Sequence, residues 1–440
     1  MKLFIFIFIS LLISCSQNQP VKTEVTAPEW SINKTIYELN TRQFSQSSSF
    51  KAVEERLPEL KKLGIGIIWF MPIHPIGEKN RKGTLGSYYA VKDYTAVNPE
   101  FGTMDDFKRL VKKAHDMGIY VIIDWVANHT AWDNPLAESN PEYFSKDSLG
   151  NFMPPVADWH DVIDLDYENK DLWKYMTEAL KFWVREADID GYRCDVAEMV
   201  PLEFWIQARR ELDKIKPVFM LAEGEKPELH EAFDMTYSWK IFNAMNLTAK
   251  GEKSPLFIDS LLAAEKIEYP SHAMRMRFTT NHDENSWNGT VFERLGDGAK
   301  TFAVLASTIP GTPLCYSGQE AGMNKRLDFF EKDPIDWQEN EYRGFYEKLF
   351  GLYQAAPALY QGSMHKISAD NEAVYAYSRK SGISEVVVIL NLSAEKQKAV
   401  LDLSGSEGKY IGLFSGKEIQ FEKQYKCEPA PWEYLVYIKK

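Results

Sequence analysis

Four short stretches place acidic, basic and imidazole side chains directly after apolar runs. Asp190-Gly191-Tyr192-Arg193-Cys194-Asp195 sets an arginine two residues before an aspartate. Side chains on a strand alternate faces, so Arg193 and Asp195 point the same way. Two charges aimed into one interior cost free energy unless they pair or take part in chemistry. Asp124-Trp125-Val126-Ala127-Asn128-His129 follows the apolar run Ile119 to Ile123, and Glu223 follows Val218 to Ala222. Asn281-His282-Asp283 follows the run Met274 to Phe278. Asp195, Glu223 and Asp283 carry carboxyl groups, which attack as nucleophiles or pass protons. Taken singly, each reads equally well as a paired or solvated residue, and an Asn-His pair reads as a turn. Their joint position at the C-terminal ends of successive strands is where a (β/α)8 barrel builds its active site.

The elements that must position these groups alternate between strand and helix. Apolar runs at 35–40, 65–73, 119–126, 190–195, 218–223, 233–239, 274–283 and 313–317 read as eight strands. The second is apolar on both faces, as buried parallel strands are. Helical patterns cover 50–63, the stretch after Thr103, 172–187, 202–215, 255–267, 299–309 and 342–360. Thr103 with Asp106 reads as a cap, and Phe107, Leu110, Val111 and Ala114 form the apolar stripe behind it. Eight strand–helix units over 31–361 predict a barrel closed on itself. Residues 77–98 form a long loop holding Tyr88, Tyr89 and Tyr94, and loops of that length in compact domains are usually functional. Residues 130–166 lack periodicity and read as an insertion after strand three. Past residue 361 the pattern changes to short β-rich runs at 372–379, 385–391, 398–403 and 433–438. A C-terminal antiparallel β-sandwich over 362–440 is expected.

The ordered set of stretches resembles the α-amylase family of retaining glycoside hydrolases. DWVANH, GYRCD, the glutamate of LAEGE, and TNHD stand in the family's order. Gly66 to Pro72 and Gly311 to Glu320 match two supporting regions, and the likeness runs from about Thr35 to the C-terminus. It implies a nucleophile at Asp195, a general acid and base at Glu223, and a third acid at Asp283 that grips ring hydroxyls. It also implies sugar contacts from Tyr89, His129, His282 and Arg193, with Asn128 orienting the site. Trp132, Trp159 and His160 are placed where they can line the cleft or pack within the insertion. No cofactor is required by the resemblance. Calcium remains compatible with it, because the family's ligand is the backbone carbonyl of a histidine four residues past the nucleophile, and Met199 stands there. The activity implied is that of an endo-acting α-1,4-glucan hydrolase on starch, maltodextrin or related α-glucans. A cyclomaltodextrinase or neopullulanase, an α-1,6-glucosidase and a glucanotransferase share the same three acids. A non-catalytic glucan-binding barrel would have lost one of them.

Bulk properties agree with an enzyme of this size. The chain has 440 residues, 45% of them hydrophobic, and a net charge of −12 that disfavours nucleic acid as a partner. The aromatics, 12 Trp, 22 Tyr and 25 Phe, suit sugar stacking, although most must be core. The four cysteines are too dispersed for a disulfide framework or a zinc site. At the N-terminus, Lys2 precedes the apolar run Leu3 to Ile13, which has the length of a signal-peptide core and is too short to span a bilayer. Leu12-Ile13-Ser14-Cys15 resembles a bacterial lipoprotein cleavage box. It implies a signal peptide over 1–15, a lipidated Cys15, a flexible tether over 16–30, and anchoring on the outer or periplasmic face of a cell-envelope membrane.

Overall fold

The computed structural model describes residues 25–440. The apolar run and the Cys15 box lie outside the described residues. Eight strands form the barrel: β1 (Ile36–Leu39), β2 (Ile67–Phe70), β3 (Tyr120–Trp125), β4 (Gly191–Cys194), β5 (Phe219–Ala222), β6 (Met235–Tyr237), β7 (Met274–Arg277) and β8 (Thr312–Tyr316). Each pairs in parallel with its sequence neighbour, and β8 returns to β1, so no edge is left open.

Strand alternation divides the apolar residues into two layers. Ile36, Trp69, Ile122, Phe219, Leu221 and Met276 fill the barrel interior as one cluster. Their neighbours Tyr37, Ile68, Phe70, Ile123 and Met220 point outward into the larger core under the helices. That division explains runs apolar on both faces. The helix Phe50–Leu63 is capped by Ser49, whose side chain accepts from the Ala52 N–H, and is stopped by Gly64 in the left-handed region. The helix Met104–Asp116 starts in a reciprocal Thr103–Asp106 capping box, as its sequence predicts.

Three details depart from the expected repeat. Between β5 and β6 no α-helix forms; the chain makes only the 3₁₀ turn Pro227–Glu231. The missing helix is replaced after β6, where Trp239–Ala249 precedes Leu256–Glu268. Trp239–Ala249 is mostly apolar, with only Lys240, Asn243 and Asn246 marking its outer face. The closing helix expected over 342–360 ends at Ala355, because Ala356 is extended before Pro357 and a short second helix, Pro357–Tyr360, follows.

The insertion after β3 is built on a small antiparallel hairpin, His129–Ala131 against Val162–Asp164, with His129 opposite Asp164. Past the barrel, eight antiparallel strands occur where four were expected. The strand Ser363–Ala369 joins two layers. Its first five residues pair with Val374–Ser381, and its last two pair with Ala399–Asp402. The smaller layer therefore folds over the larger, enclosing Ile367, Val387, Ile389, Leu401, Tyr410 and Phe421.

Candidate active site

The C-terminal ends of the barrel strands open into a cleft of about 270 Å³. Asp195, Glu223, Asp283, His282, Tyr89 and His129 all line it. Asp195 directly follows β4, and its position depends on close strand approach. Gly191 has φ +152°, and a Cβ there would lie 1.8 Å from the Phe219 carbonyl oxygen. Only glycine lets β4 and β5 pair at this point. Glu223 then sits beside Asp195, with its N–H donating to the Cys194 carbonyl at 3.0 Å.

One guanidinium underlies the acids. Arg193 is wholly buried, and its Nη1 donates at 2.9 Å to both Asp195 Oδ1 and Asp124 Oδ1. Its Nη2 forms an ion pair with Glu223 Oε2 at 2.8 Å, and its Nε donates to the Tyr237 hydroxyl at 3.1 Å. The rings of Trp69 and Tyr237 pack around the cation, 5.0 and 5.7 Å from it. The alternation argument is thus correct for Arg193 and Asp195. Arg193 lies beneath the carboxylates, however, and does not open to the cleft where a sugar would touch it. It acts through Asp195 and Glu223.

Val196 is a second fixing device. This β-branched residue adopts φ 35°, ψ 47°, a conformation such side chains rarely take. Its N–H donates to Glu223 Oε2 at 2.8 Å. Strain of this kind is held where the surrounding structure dictates it, commonly at functional sites.

The protonation states follow from burial and crowding. Burial lifts Asp195 to about 7 against the pull of Arg193, with Asp124 and Asp283 adding to the rise. Burial lifts Glu223 likewise to about 7, again opposed by Arg193 and reinforced by Asp195 and Asp283. Two such neighbours titrate as a pair, and both stand above the ordinary carboxyl range. The Arg193 charge alone therefore does not hold Asp195 far below the ordinary range.

Tyr89, His282 and Glu38 form a chain on the far side. The Tyr89 ring stacks on His282 at 5.4 Å, and its hydroxyl donates to Asp124 at 3.1 Å and lies 2.8 Å from His282 Nε2. His282 Nδ1 bonds Glu38, a fully buried acid on β1, and Nε2 lies 3.3 Å from Asp283 Oδ2. Burial opposes the imidazolium, but Asp283 and Glu38 outweigh it and raise His282 to about 9. Glu38→Gln should therefore lower the His282 value by about one unit or more, the usual effect of removing an adjacent opposite charge. NMR titration of ring-labelled histidine reads this directly; an unshifted His282 would show that Glu38 does not govern its charge.

Other expected residues fall into place unevenly. Asn128 is buried behind the cleft, with its amide nitrogen 3.3 Å from His129 Nδ1. Trp159 lines the cleft and packs edge-on to His129 at 5.4 Å. Trp132 and His160 do not line it; the Trp132 indole donates to the His160 carbonyl. Trp287, Phe329, Phe330, Lys82 and Asp161 also line the cleft and had no sequence signal of their own. Glu38 had one: it is a lone acid inside an apolar strand. Among the described residues, no group of three or more His, Cys, Asp or Glu is placed to hold a metal ion. Cys194, Cys315 and Cys427 are all free and buried.

A closed parallel barrel with paired carboxyl groups at its C-terminal strand ends is an arrangement that barrel-type glycoside hydrolases use. The chain belongs to the α-amylase family: the model of the α-amylase catalytic domain matches residues 40–152 and 156–372. Among solved structures, it is similar to a noncanonic maltogenic α-amylase from Thermotoga neapolitana, at 33% identity and a TM-score of 0.86, covering 93% of this chain and 99% of that one. An α-amylase from Lactobacillus plantarum is 31% identical with a TM-score of 0.84, covering 92% and 99%. Among curated proteins, an α-amylase of Haloarcula japonica is 28% identical over 89% of this chain, and neopullulanase 2 of Thermoactinomyces vulgaris is 28% identical over 93%. The chain spans 58% of the length of the first and 78% of the second.

Proposed function

We propose that the protein hydrolyses α-glucosidic bonds, mainly α-1,4, in starch, maltodextrin or related α-glucans, with retention of configuration. The observation that carries this reading is the single buried guanidinium reaching both Asp195 and Glu223. A pair held by one arginine is close, and retaining enzymes keep their carboxyl groups only about 5–5.5 Å apart. Asp195 attacks the anomeric carbon through its free oxygen and forms a glycosyl-enzyme ester. Glu223 gives its proton to the departing glycosidic oxygen. Water then enters, Glu223 takes a proton from it, and the ester is cleaved. Asp283, with its side chain 36% exposed against 10% for Asp195 and 15% for Glu223, is the most open of the three acids and grips ring hydroxyls with His282. His129 and Tyr89 complete the contacts with the sugar. The names of the relatives, which include neopullulanase and cyclomaltodextrinase, support the same substrate class with a different linkage or ring preference.

Stereochemistry tests the reading. Two inversions at one carbon restore the α configuration. Proton NMR of fresh products, recorded before mutarotation, should show the α-anomer first. A β-anomer appearing first would require a water-directed single displacement and would overturn the roles given to Asp195 and Glu223.

We also propose export and lipid anchoring at Cys15, supported by the apolar run before it and the Leu12 to Cys15 box. Cys15→Ala should move the full-length protein from the membrane fraction to the soluble fraction of expressing bacteria. Retention of the variant on membranes would exclude this anchor.

A further inference from the structure

We propose that the cleft is closed on its glycone side, so that the enzyme removes short pieces from the non-reducing ends of glucan chains rather than cutting internally. The inference rests on the glycosidase reading above and replaces the endo action expected from sequence. The glycone side follows from the strand order. Glu223, which must face the leaving oxygen, stands at the end of β5. In an eight-stranded ring β1 lies opposite β5, flanked by β2 and β8. The sugar whose anomeric carbon meets Asp195 therefore extends toward the loops after β2 and β8.

Those two loops and the insertion are tied together across that end. Lys82, in the loop after β2, pairs with the buried Asp161 of the insertion at 2.9 Å and donates to the Asp158 carbonyl at 2.8 Å. Thr84, two residues on, donates its N–H to Glu331 of the loop after β8 at 2.8 Å, and its hydroxyl bonds the same carboxylate. The Leu85 N–H donates to the Phe330 carbonyl at 3.1 Å. Lys82, Asp161 and Phe330 all face the cleft, so this strap is its end wall.

The strap is anchored from below. The turn after β1 supplies buried Arg42, which donates to the Leu85 and Gly86 carbonyls, and buried Gln43, which donates to the Asp328 and Glu331 carbonyls at 2.8 Å. Two adjacent side chains thus hold both loops in position. On the opposite side the returns are short. The helix after β4 begins at Leu202, and the one after β6 begins at Trp239.

The test compares two long maltooligosaccharides with a chromogenic group at the reducing end, one of them also carrying an acetal on the terminal non-reducing glucose. An internal cutter ignores the acetal, whereas a closed glycone end cannot seat it. The wild-type protein should cleave the blocked substrate about tenfold more slowly or worse, in the range a single pocket mismatch produces. The double variant Lys82→Ala with Glu331→Ala should narrow that ratio several-fold. Equal wild-type rates on both substrates would overturn the closed end while leaving the glycosidase reading intact. An unchanged ratio in a folded double variant would equally overturn it. No turnover of either substrate would overturn the glycosidase reading, and this inference with it. The wild-type comparison decides the matter even where the variant does not fold.

Discussion

Replacing Asp195 with asparagine is expected to lower turnover of maltodextrin by about ten-thousand-fold or more, the scale seen when a covalent nucleophile is removed. The amide keeps the size of the carboxylate but cannot form the glycosyl ester. The fold should survive, because Arg193 retains Asp124 and Glu223 as partners. Stability at alkaline pH should hold or rise. Burial raises the Asp195 value from 3.8 to about 7 in the folded protein. A group raised in this way supports the fold at low pH, and that support is lost as pH climbs through the window between the two values. Asparagine has no proton to lose and so acquires no buried charge as pH rises. A melting temperature at pH 8 equal to or above that of the wild type, together with near-complete inactivity, is the expected pair of results. Near-normal turnover in a variant with an unchanged melting curve would remove Asp195 from the mechanism.

Glu223→Gln is expected to cost about a thousand-fold on amylose, within the range proton transfer contributes, and much less on an activated aryl glycoside whose leaving group needs no proton. The pH profile supplies a second readout. Burial places the Glu223 proton at about 7, so the wild-type rate on amylose should fall as pH rises through that value and the acid is lost. Hydrolysis of the aryl substrate by the variant should lack that alkaline fall. Equal losses on both substrates would show that Glu223 is not the proton donor.

The strand ends were legible because their residue types conflict with their surroundings. An arginine and an aspartate two positions apart inside an apolar run must share a face, and the Arg193 to Asp195 hydrogen bond shows that they do. Helix starts were legible where a cap is local, as at Thr103 and Asp106. The helix Trp239–Ala249 was not, because only Lys240, Asn243 and Asn246 mark its outer face within a mostly apolar segment. Between β5 and β6 the sequence shows no helical pattern, and none forms. Pro227 begins a turn as readily as a helix, and only the short distance between paired strands selects the turn.

The sequence by itself determined the alternating architecture, the family, and the set of acids at successive strand ends. These depend on local periodicity and on residue types that are costly to bury without use. Tertiary structure alone decided what each group does to its neighbours. Arg193 reads as a sugar contact in sequence, yet it lies wholly buried under two carboxylates because β4 packs against β3 and β5 at Gly191. The coupling of Glu38 to His282 joins residues 244 positions apart. The cross-links from Lys82 and Thr84 likewise join three loops that are distant in the chain. Periodicity reports which face a residue occupies. Which distant loop meets that face is set only when the barrel closes.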